Sequence, residues 1–168
     1  EHCRSIIAPH PKPDEQLVMN GNDAFALGAI IADCKFYCAY PMTPSSSVLT
    51  SMAAWQQKAQ ITVRHAEDEI AVINSAIGAS HGGVRSSVGT SGGGFALMVE
   101  AISLAGIAET PIVIFLSQRP GPATGMPTWT EQGDLLFAVH AGHGEFPKIV
   151  LTPGDVDEMM RLTVEAFD

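Results

Sequence analysis

Blocks of apolar and polar positions alternate along the chain and predict short strands separated by helices. The strand candidates are short, mostly apolar runs at residues 36–39, 61–64, 86–89, 112–116 and 149–151. Helical periodicity covers residues 23–32, 47–57, 67–81, 95–108, 133–140 and 155–167. Strands that are apolar throughout are typical of a parallel sheet covered on both faces. The alternation therefore predicts an α/β domain with a doubly wound, mostly parallel sheet.

The first fifteen residues do not follow this pattern. Pro9, Pro11 and Pro13 occupy alternate positions and no apolar period accompanies them, so residues 1–15 are predicted to be an extended linker or tether. Residues 16–168 then form one domain, which suits a chain of 168 residues. Because the chain lacks an initiator methionine and ends inside a helical pattern, we expect it to be a fragment of a longer subunit.

The composition of the chain argues against two classes of partner, nucleic acids and membranes. Nine basic and eighteen acidic residues give a formal charge of −9, which argues against a nucleic-acid partner. No apolar run approaches the roughly 20 residues that a bilayer-spanning helix needs. No signal-peptide pattern precedes the domain. We therefore expect a cytoplasmic protein with no membrane association.

The three cysteines leave two interpretations open. Cys34 and Cys38 flank a predicted strand and could form a metal pair, but burial statistics favour two buried free thiols. With Cys3 they still cannot supply the four thiolates of a cubane cluster. We expect no metal on this chain, so any iron–sulfur cluster would lie on another chain or domain.

Polar and charged residues follow the predicted strands in four places. They are Thr43, the pair Glu67 and Glu69, Thr90 and Arg119. The carboxyl ends of parallel strands meet at one rim, where ligands of such sheets bind. The pattern therefore predicts that these side chains converge on one site.

The turn after the first strand holds a threonine between two prolines. Pro41 and Pro44 fix the backbone around Thr43, and a hydroxyl held there could bind an anion above a helix N-terminus. Local physics alone favours a plain strand-to-helix turn in which Ser45 or Ser46 is the N-cap.

Two other polar clusters have ordinary interpretations. The turn at residues 90–94 lacks the lysine of a P-loop, so we predict a site-facing turn rather than a nucleotide-binding loop. His140, His143 and Glu145 could suggest metal, but their spacing favours a surface loop or a subunit contact. His143 is also a candidate for recognising the distal part of a larger substrate.

Four segments together resemble the 2-oxoacid:ferredoxin oxidoreductases. They are Tyr-Pro-Met-Thr-Pro-Ser at residues 40–45, the helix start at 21–29, the segments 67–71 and 76–80, and the loop 118–128. They occur in family order, and the resemblance covers roughly residues 16–168. Met42 replaces the usual isoleucine, and Gly93 stands where relatives usually carry proline. The loop and the following residues 130–134 are most similar to alpha subunits of the 2-oxoglutarate type.

The resemblance implies a thiamine diphosphate pyrimidine-binding domain and assigns roles to particular residues. Glu69 is the implied catalytic glutamate that pairs with the cofactor's aminopyrimidine, because Gly78 and Ala79 follow it at the family spacing. For Glu67 and Asp68 the ordinary interpretation, favourable charge in a first helical turn, is preferred. Thr43 and Arg119 would bind the substrate carboxylate, since a guanidinium fork suits a carboxylate. The implied cofactor contacts are Tyr40, Pro41, Glu69 and Gly92.

The implied activity is oxidative decarboxylation of a 2-oxoacid to acyl-coenzyme A, with reduction of ferredoxin. In the most similar members the 2-oxoacid is 2-oxoglutarate. The sequence has no Gly-Asp-Gly…Asn stretch, the usual diphosphate and Mg²⁺ site of thiamine enzymes. The resemblance therefore implies a beta subunit that holds the diphosphate, Mg²⁺ and the iron–sulfur cluster, and a chain that is inactive alone. A non-redox thiamine lyase or decarboxylase subunit, or a non-catalytic assembly module, remains the alternative.

Overall fold

The structure, a computed structural model, describes residues 17–168. The predicted linker at residues 1–15 and Cys3 lie outside the described residues. Four strands form the sheet: β1 (Phe36–Ala39), β2 (Thr62–His65), β3 (Ser86–Thr90) and β4 (Val113–Leu116). Their order is β2-β1-β3-β4 and every neighbouring pair is parallel. The predicted α/β class with a parallel sheet is confirmed.

Six helices accompany the strands in the described part of the chain. They are α1 (Gly21–Ile31), α2 (Ser46–Ala59), α3 (Glu69–His81), α4 (Gly92–Ile107), α5 (Leu135–His140) and α6 (Val156–Ala166). Side chains cap three of them: Asn20, Asp68 and Asp155 each accept a hydrogen bond from the backbone N–H three residues on. Such caps satisfy N–H groups that the first turn leaves free, which is why these helices begin where they do.

The sheet is covered on both faces, as a doubly wound fold requires. One apolar core contains Val88 of β3 with the inner faces of α3 and α4. The other contains Tyr37 of β1 with side chains of α1 and α2, and Met159 of α6 packs against it. Because all four strands run the same way, their carboxyl ends meet at a single rim.

Apart from shifts of one or two residues in other element bounds, the structure corrects the sequence prediction in two places. Residues 149–151 form no strand, and Ile149 is 87% exposed. Pro147 and Pro153 flank this short run, and proline cannot donate to a ladder. Helix α4 begins at Gly92, three residues before the predicted start, so three glycines form its first turn.

The two described cysteines are buried free thiols on different sides of the sheet. Cys34 belongs to the core with α1 and α2, whereas Cys38 belongs to the core with α3 and α4. This separation rules out a metal shared by the pair. Burial raises the pKa of the Cys38 thiol to about 11, and burial also raises that of Cys34. Between residues 17 and 168, no helix combines the length and apolar character needed to cross a bilayer.

Candidate active site

The β1–α2 turn and the loop after β4 meet at the rim. The Arg119 guanidinium donates a hydrogen bond from Nη1 to the Thr43 carbonyl oxygen, 2.6 Å away. Ser45 is the N-cap residue of α2, as predicted, but its hydroxyl donates back to the Met42 carbonyl at 2.8 Å and caps no N–H. The turn is therefore closed on itself, and Thr43 stays exposed beside Arg119.

A side chain of α1 also holds this turn. The amide nitrogen of Asn22 donates to the Pro44 carbonyl at 2.8 Å and lies 2.7 Å from the Ser47 hydroxyl oxygen. The next residue of α1, Asp23, accepts a hydrogen bond from Ser51 of α2 at 2.7 Å. The start of α1 is thus tied to both the turn and α2.

Burial distinguishes the three acidic residues at the start of α3. The helix begins at Glu69, so Glu67 lies outside the first turn in which it was predicted and Asp68 is the N-cap. Glu67 is exposed, Asp68 caps the helix, and Glu69 is only 4% exposed. The Glu69 Oε1 atom is buried and has no hydrogen-bond partner among the described residues. An unpaired buried oxygen is costly, so it marks Glu69 as the carboxyl group that fits an external polar partner.

Three consecutive glycines at the start of α4 allow three other residues to pack close to the helix backbone. A Cβ on Gly92 would lie 2.7 and 2.8 Å from the two carboxylate oxygens of Asp134. On Gly93 it would lie 3.3 Å from the Ala123 carbonyl, and on Gly94 2.7 Å from the Glu69 Oε1 atom. Protein oxygens therefore surround this helix start, which supports a site-facing turn rather than a phosphate cradle.

Asp134 closes the loop that carries Arg119, although the sequence did not indicate it as a site residue. The Asp134 backbone N–H donates to the Gln118 side-chain oxygen at 2.8 Å, while its carboxylate reaches Gly92. The Asp134 Oδ2 atom is buried without a partner in the described chain. Burial, and then the nearby charge of Glu131, raise the pKa of this carboxyl group. Its sequence signals are an incomplete Gly-Asp pair and its place at the end of segment 130–134, which takes part in the family resemblance.

The predicted convergence of the strand ends is confirmed. The Ser117 N–H donates to the Thr90 carbonyl at 2.9 Å, joining the ends of β3 and β4. The Thr90 hydroxyl lies 3.9 Å from the Met42 sulfur and contacts the same Gly94 position as Glu69. Thr43, Glu69, Thr90 and Arg119 therefore lie around one rim.

Other candidate residues lie farther out. Tyr40 and Pro41 are exposed at the end of β1, and the Tyr40 ring lies 6.1 Å from that of His65. The His143 N–H donates to Ser103 on α4, about 16 Å along the helix from its first residue. The structure thus does not bring His143 to the rim. Gly78 is exposed, and a Cβ there would meet nothing within 4 Å.

An open apolar cleft of about 1220 Å³ lies elsewhere, beside the β4 edge and between α4 and α6. Gln118 and Asp134 reach its border, but Thr43, Glu69 and Arg119 do not line it. The convergent polar groups at the rim, and not this cleft, therefore define the candidate site.

Comparison with known protein families identifies the family of this chain. Residues 27–168 match the family profile described as pyruvate flavodoxin/ferredoxin oxidoreductase, thiamine diP-binding. The chain belongs to this family. It is 43% identical over 177 aligned residues to 2-oxoacid:ferredoxin oxidoreductase 1, subunit alpha, of Sulfurisphaera tokodaii, covering 98% of this chain. It is 46% identical over 153 residues to the 2-oxoglutarate synthase subunit KorA of Archaeoglobus fulgidus, covering 91% of this chain.

A solved member of this oxidoreductase family has the same fold. The 2-oxoglutarate:ferredoxin oxidoreductase of Magnetococcus marinus, with 2-oxoglutarate, coenzyme A and succinyl-CoA bound, aligns with a TM-score of 0.87 and 44% identity. The alignment covers 90% of this chain and 26% of the solved chain. The chain spans 28% of the Sulfurisphaera relative and 44% of the Archaeoglobus relative.

The rim residues fit the thiamine cofactor that the oxidoreductase family implies. The buried, unpartnered Glu69 Oε1 atom suits a protonated ring nitrogen, which would supply the missing hydrogen bond. Within residues 17–168, no group of three or more His, Cys, Asp or Glu side chains assembles in a way that could hold a metal ion.

Proposed function

We propose that this chain forms the pyrimidine-binding half of the active site of a 2-oxoacid:ferredoxin oxidoreductase, of the 2-oxoglutarate type. The observation that carries the proposal is the buried, unpartnered Glu69 carboxyl group on the same rim as Thr43 and Arg119. The names of the relatives support the reaction class, and the bound 2-oxoglutarate and coenzyme A of the Magnetococcus enzyme support the substrates. The reaction is oxidative decarboxylation of the 2-oxoacid to acyl-coenzyme A with reduction of ferredoxin.

Glu69 has a defined task in this reaction. The thiamine cofactor, when bound, supplies the carbon nucleophile and the electron sink. Glu69 would hold the proton that it shares with the aminopyrimidine ring nitrogen, at the Oε1 atom that lacks a protein partner. Contact with Gly94 fixes where this carboxyl group lies, because a Cβ on that residue would be 2.6 Å from the Glu69 Cγ.

Arg119 and Thr43 would bind the C1 carboxylate of the 2-oxoacid. Within the described chain, the Thr43 carbonyl is the one hydrogen-bond acceptor that Arg119 contacts, so most of its N–H donors remain for a substrate. A guanidinium can hold a carboxylate with two parallel hydrogen bonds, and the neighbouring Thr43 hydroxyl would add a third. Such a clamp orients the carbon–carbon bond that breaks.

A beta subunit would complete the site. It would hold the diphosphate with Mg²⁺ and carry the iron–sulfur cluster that passes electrons to ferredoxin. The relatives are named as alpha subunits, which supports a partner of this kind. Exposed apolar side chains beside the Arg119 loop give such a partner a surface to cover: Met126, Trp129, Leu135, Leu136 and Val139. Tyr40, Pro41 and Gly92 would contact the cofactor from this chain.

The test is the substrate requirement of the assembled native enzyme. Ferredoxin reduction should depend on both a 2-oxoacid and coenzyme A, and 2-oxoglutarate should have the highest kcat/KM in a panel with pyruvate and branched-chain 2-oxoacids. Product formation that needs neither ferredoxin nor coenzyme A would instead identify a non-redox lyase or decarboxylase. A complex without thiamine-dependent turnover would identify an assembly module.

A further inference from the structure

The turn that carries Thr43 is held at two successive carbonyl groups by two different parts of the chain. Arg119 donates to the Thr43 carbonyl at 2.6 Å, and Asn22 donates to the Pro44 carbonyl at 2.8 Å. The two donors fix the peptide planes on either side of Pro44, the residue that follows Thr43. The Thr43–Pro44 plane helps to set the direction of the Thr43 Cα–Cβ bond, and Asn22 acts on that plane through Pro44. The place of the Thr43 hydroxyl then depends on both donors.

Asn22 is well suited to this task because its helix is firmly seated. A Cβ on Gly28 of α1 would lie 2.8 Å from the Met160 carbonyl and 2.9 Å from the Thr163 Cβ, so α1 and α6 pack backbone to backbone. Asn20 caps α1 at its start. The side chain of Asn22 therefore projects from a rigid support.

Both amide protons of Asn22 are used on the same turn. One is donated to the Pro44 carbonyl, and the other points to the Ser47 hydroxyl oxygen at 2.7 Å. The two acceptors lie 22 and 25 residues farther along the chain, so these hydrogen bonds join α1 to a distant turn. Local helix stabilisation cannot explain them, because neither acceptor belongs to α1.

We propose that Asn22 is a positioning residue for the 2-oxoacid. It holds the Thr43–Pro44 segment so that the Thr43 hydroxyl faces the carboxylate bound by Arg119. The inference rests on the proposed function, in which Thr43 contacts the substrate. It assigns to α1, which carries none of the contacting side chains, a share in substrate affinity.

Asn22→Asp in the assembled enzyme is the primary test. The new side chain has the same shape but no N–H donors, so the Pro44 carbonyl loses its partner. We expect KM for the 2-oxoacid to rise about 3- to 10-fold, the value of one ordinary hydrogen bond, with thiamine diphosphate affinity unchanged. Asn74→Asp is the matched control, because Asn74 also donates to a backbone carbonyl, that of Ile70, but on the exposed surface of α3.

A double-mutant cycle with Thr43→Val separates positioning from a general effect on folding. If Asn22 acts through the Thr43 hydroxyl, Asn22→Asp adds little to KM once that hydroxyl is gone. Multiplying effects, or an Asn22→Asp enzyme with wild-type KM, would overturn the inference. Asn22→Ala should reproduce the result without the added charge, and it replaces Asn22→Asp should that variant not assemble.

The two proposals fail in different ways. A Thr43→Val enzyme with wild-type KM for every 2-oxoacid removes Thr43 from substrate binding and overturns the proposed clamp together with this inference. The other outcome is a raised KM in the Thr43→Val enzyme together with a wild-type KM in the Asn22→Asp enzyme. That result leaves the clamp in place and overturns only the role of Asn22.

Discussion

Three consecutive acidic positions at the start of α3 have three different environments, although the sequence gives them the same charge. Glu67 is exposed, Asp68 accepts the Ala71 N–H at 2.7 Å, and Glu69 is buried against the glycines of α4. Only Glu69 has an oxygen that needs a partner from outside the described chain. At this scale burial, and not residue type, distinguishes the carboxyl group that we propose to be catalytic from its two neighbours.

Glu69→Gln should therefore lower turnover of the assembled enzyme by about 100-fold or more, the usual value of a positioned acid–base group. The amide keeps the shape but cannot share the proton with the cofactor. Glu67→Gln is the control and should keep near wild-type turnover. Steady-state ferredoxin reduction measures both, and the assignment is wrong if Glu67→Gln is the inactive variant.

Arg119→Lys should raise KM for the 2-oxoacid by about 10- to 100-fold, because an ammonium cannot reproduce the planar fork and a charged hydrogen bond is lost. Thr43→Val should act in the same direction by about 10-fold or less. Arg161→Lys on α6, whose arginine pairs with Glu165 in solvent, is the control. Thiamine diphosphate affinity should stay constant in all three; parallel losses of cofactor and substrate binding would contradict the carboxylate clamp.

The partly buried carboxyl group of Asp134 gives a prediction about stability and pH. Because its folded-state pKa lies above its usual value, ionisation destabilises the fold as pH rises through that pKa. Asp134→Asn should then raise the melting temperature at neutral pH, and the difference should shrink at acidic pH, where wild-type Asp134 is protonated. Glu131→Gln should have a smaller effect of the same sign, since the charge of Glu131 is the second cause of the shift. Thermal unfolding at several pH values measures this, and an Asn variant that is less stable at neutral pH would refute it.

At the scale of elements, the first turn of α4 receives oxygen atoms from α3, from the Arg119 loop and from the residue before α5. Glycine at residues 92–94 is what lets Glu69, Ala123 and Asp134 approach the same turn. In helical propensity alone these glycines are unfavourable, by about 1 kcal/mol each relative to alanine. Close packing around the site outweighs that propensity, which is why the helix starts earlier than its apolar period predicts.

Gly94→Ala and Gly78→Ala form a matched pair of helical substitutions. At Gly94 the new methyl group would meet the Thr90 hydroxyl and lie 2.6 Å from the Glu69 Cγ, so one or both of these side chains must move. We expect Gly94→Ala to reduce turnover and to lower the melting temperature of the chain. At Gly78 nothing lies within 4 Å, so alanine should stabilise the isolated chain by about 0.5–1 kcal/mol. The pair is compared by thermal unfolding, and a Gly94→Ala chain as stable as wild type would show that the contacts around α4 are looser than described.

At the scale of the whole molecule, the chain presents polar rim residues next to exposed apolar side chains. The rim offers Glu69, Arg119 and Thr43, while apolar side chains of the segment 126–139 remain exposed. This combination is typical of a subunit whose partner covers the site.

The isolated chain should accordingly bind thiamine diphosphate weakly. The diphosphate carries most of the cofactor's charge, and its usual Mg²⁺-binding motif is absent from the sequence. Calorimetric titration of the chain with thiamine diphosphate and Mg²⁺ measures this. Submicromolar binding at one site per monomer would show that these residues hold a complete cofactor site.

The sequence by itself determined the order of strands and helices, the parallel sheet and the rim on which Thr43, Glu69 and Arg119 lie. Apolar periodicity is local, and parallel strands bring their carboxyl ends together whatever the loops do. Because the apolar pattern is local, it also predicted a strand at residues 149–151 that the structure lacks. A short apolar run does not reveal whether a neighbouring strand is within reach.

Only the tertiary structure decided which carboxyl group is buried and which side chains hold the loops at the rim. Asn22 meets Pro44 across 22 residues, Asp134 meets Gly92, and Arg119 meets Thr43 across 76 residues. Contacts of this kind depend on how α1, α4 and the Arg119 loop pack against the sheet. No local pattern encodes that packing, because each contact joins residues whose own neighbours in sequence are ordinary turn or helix positions.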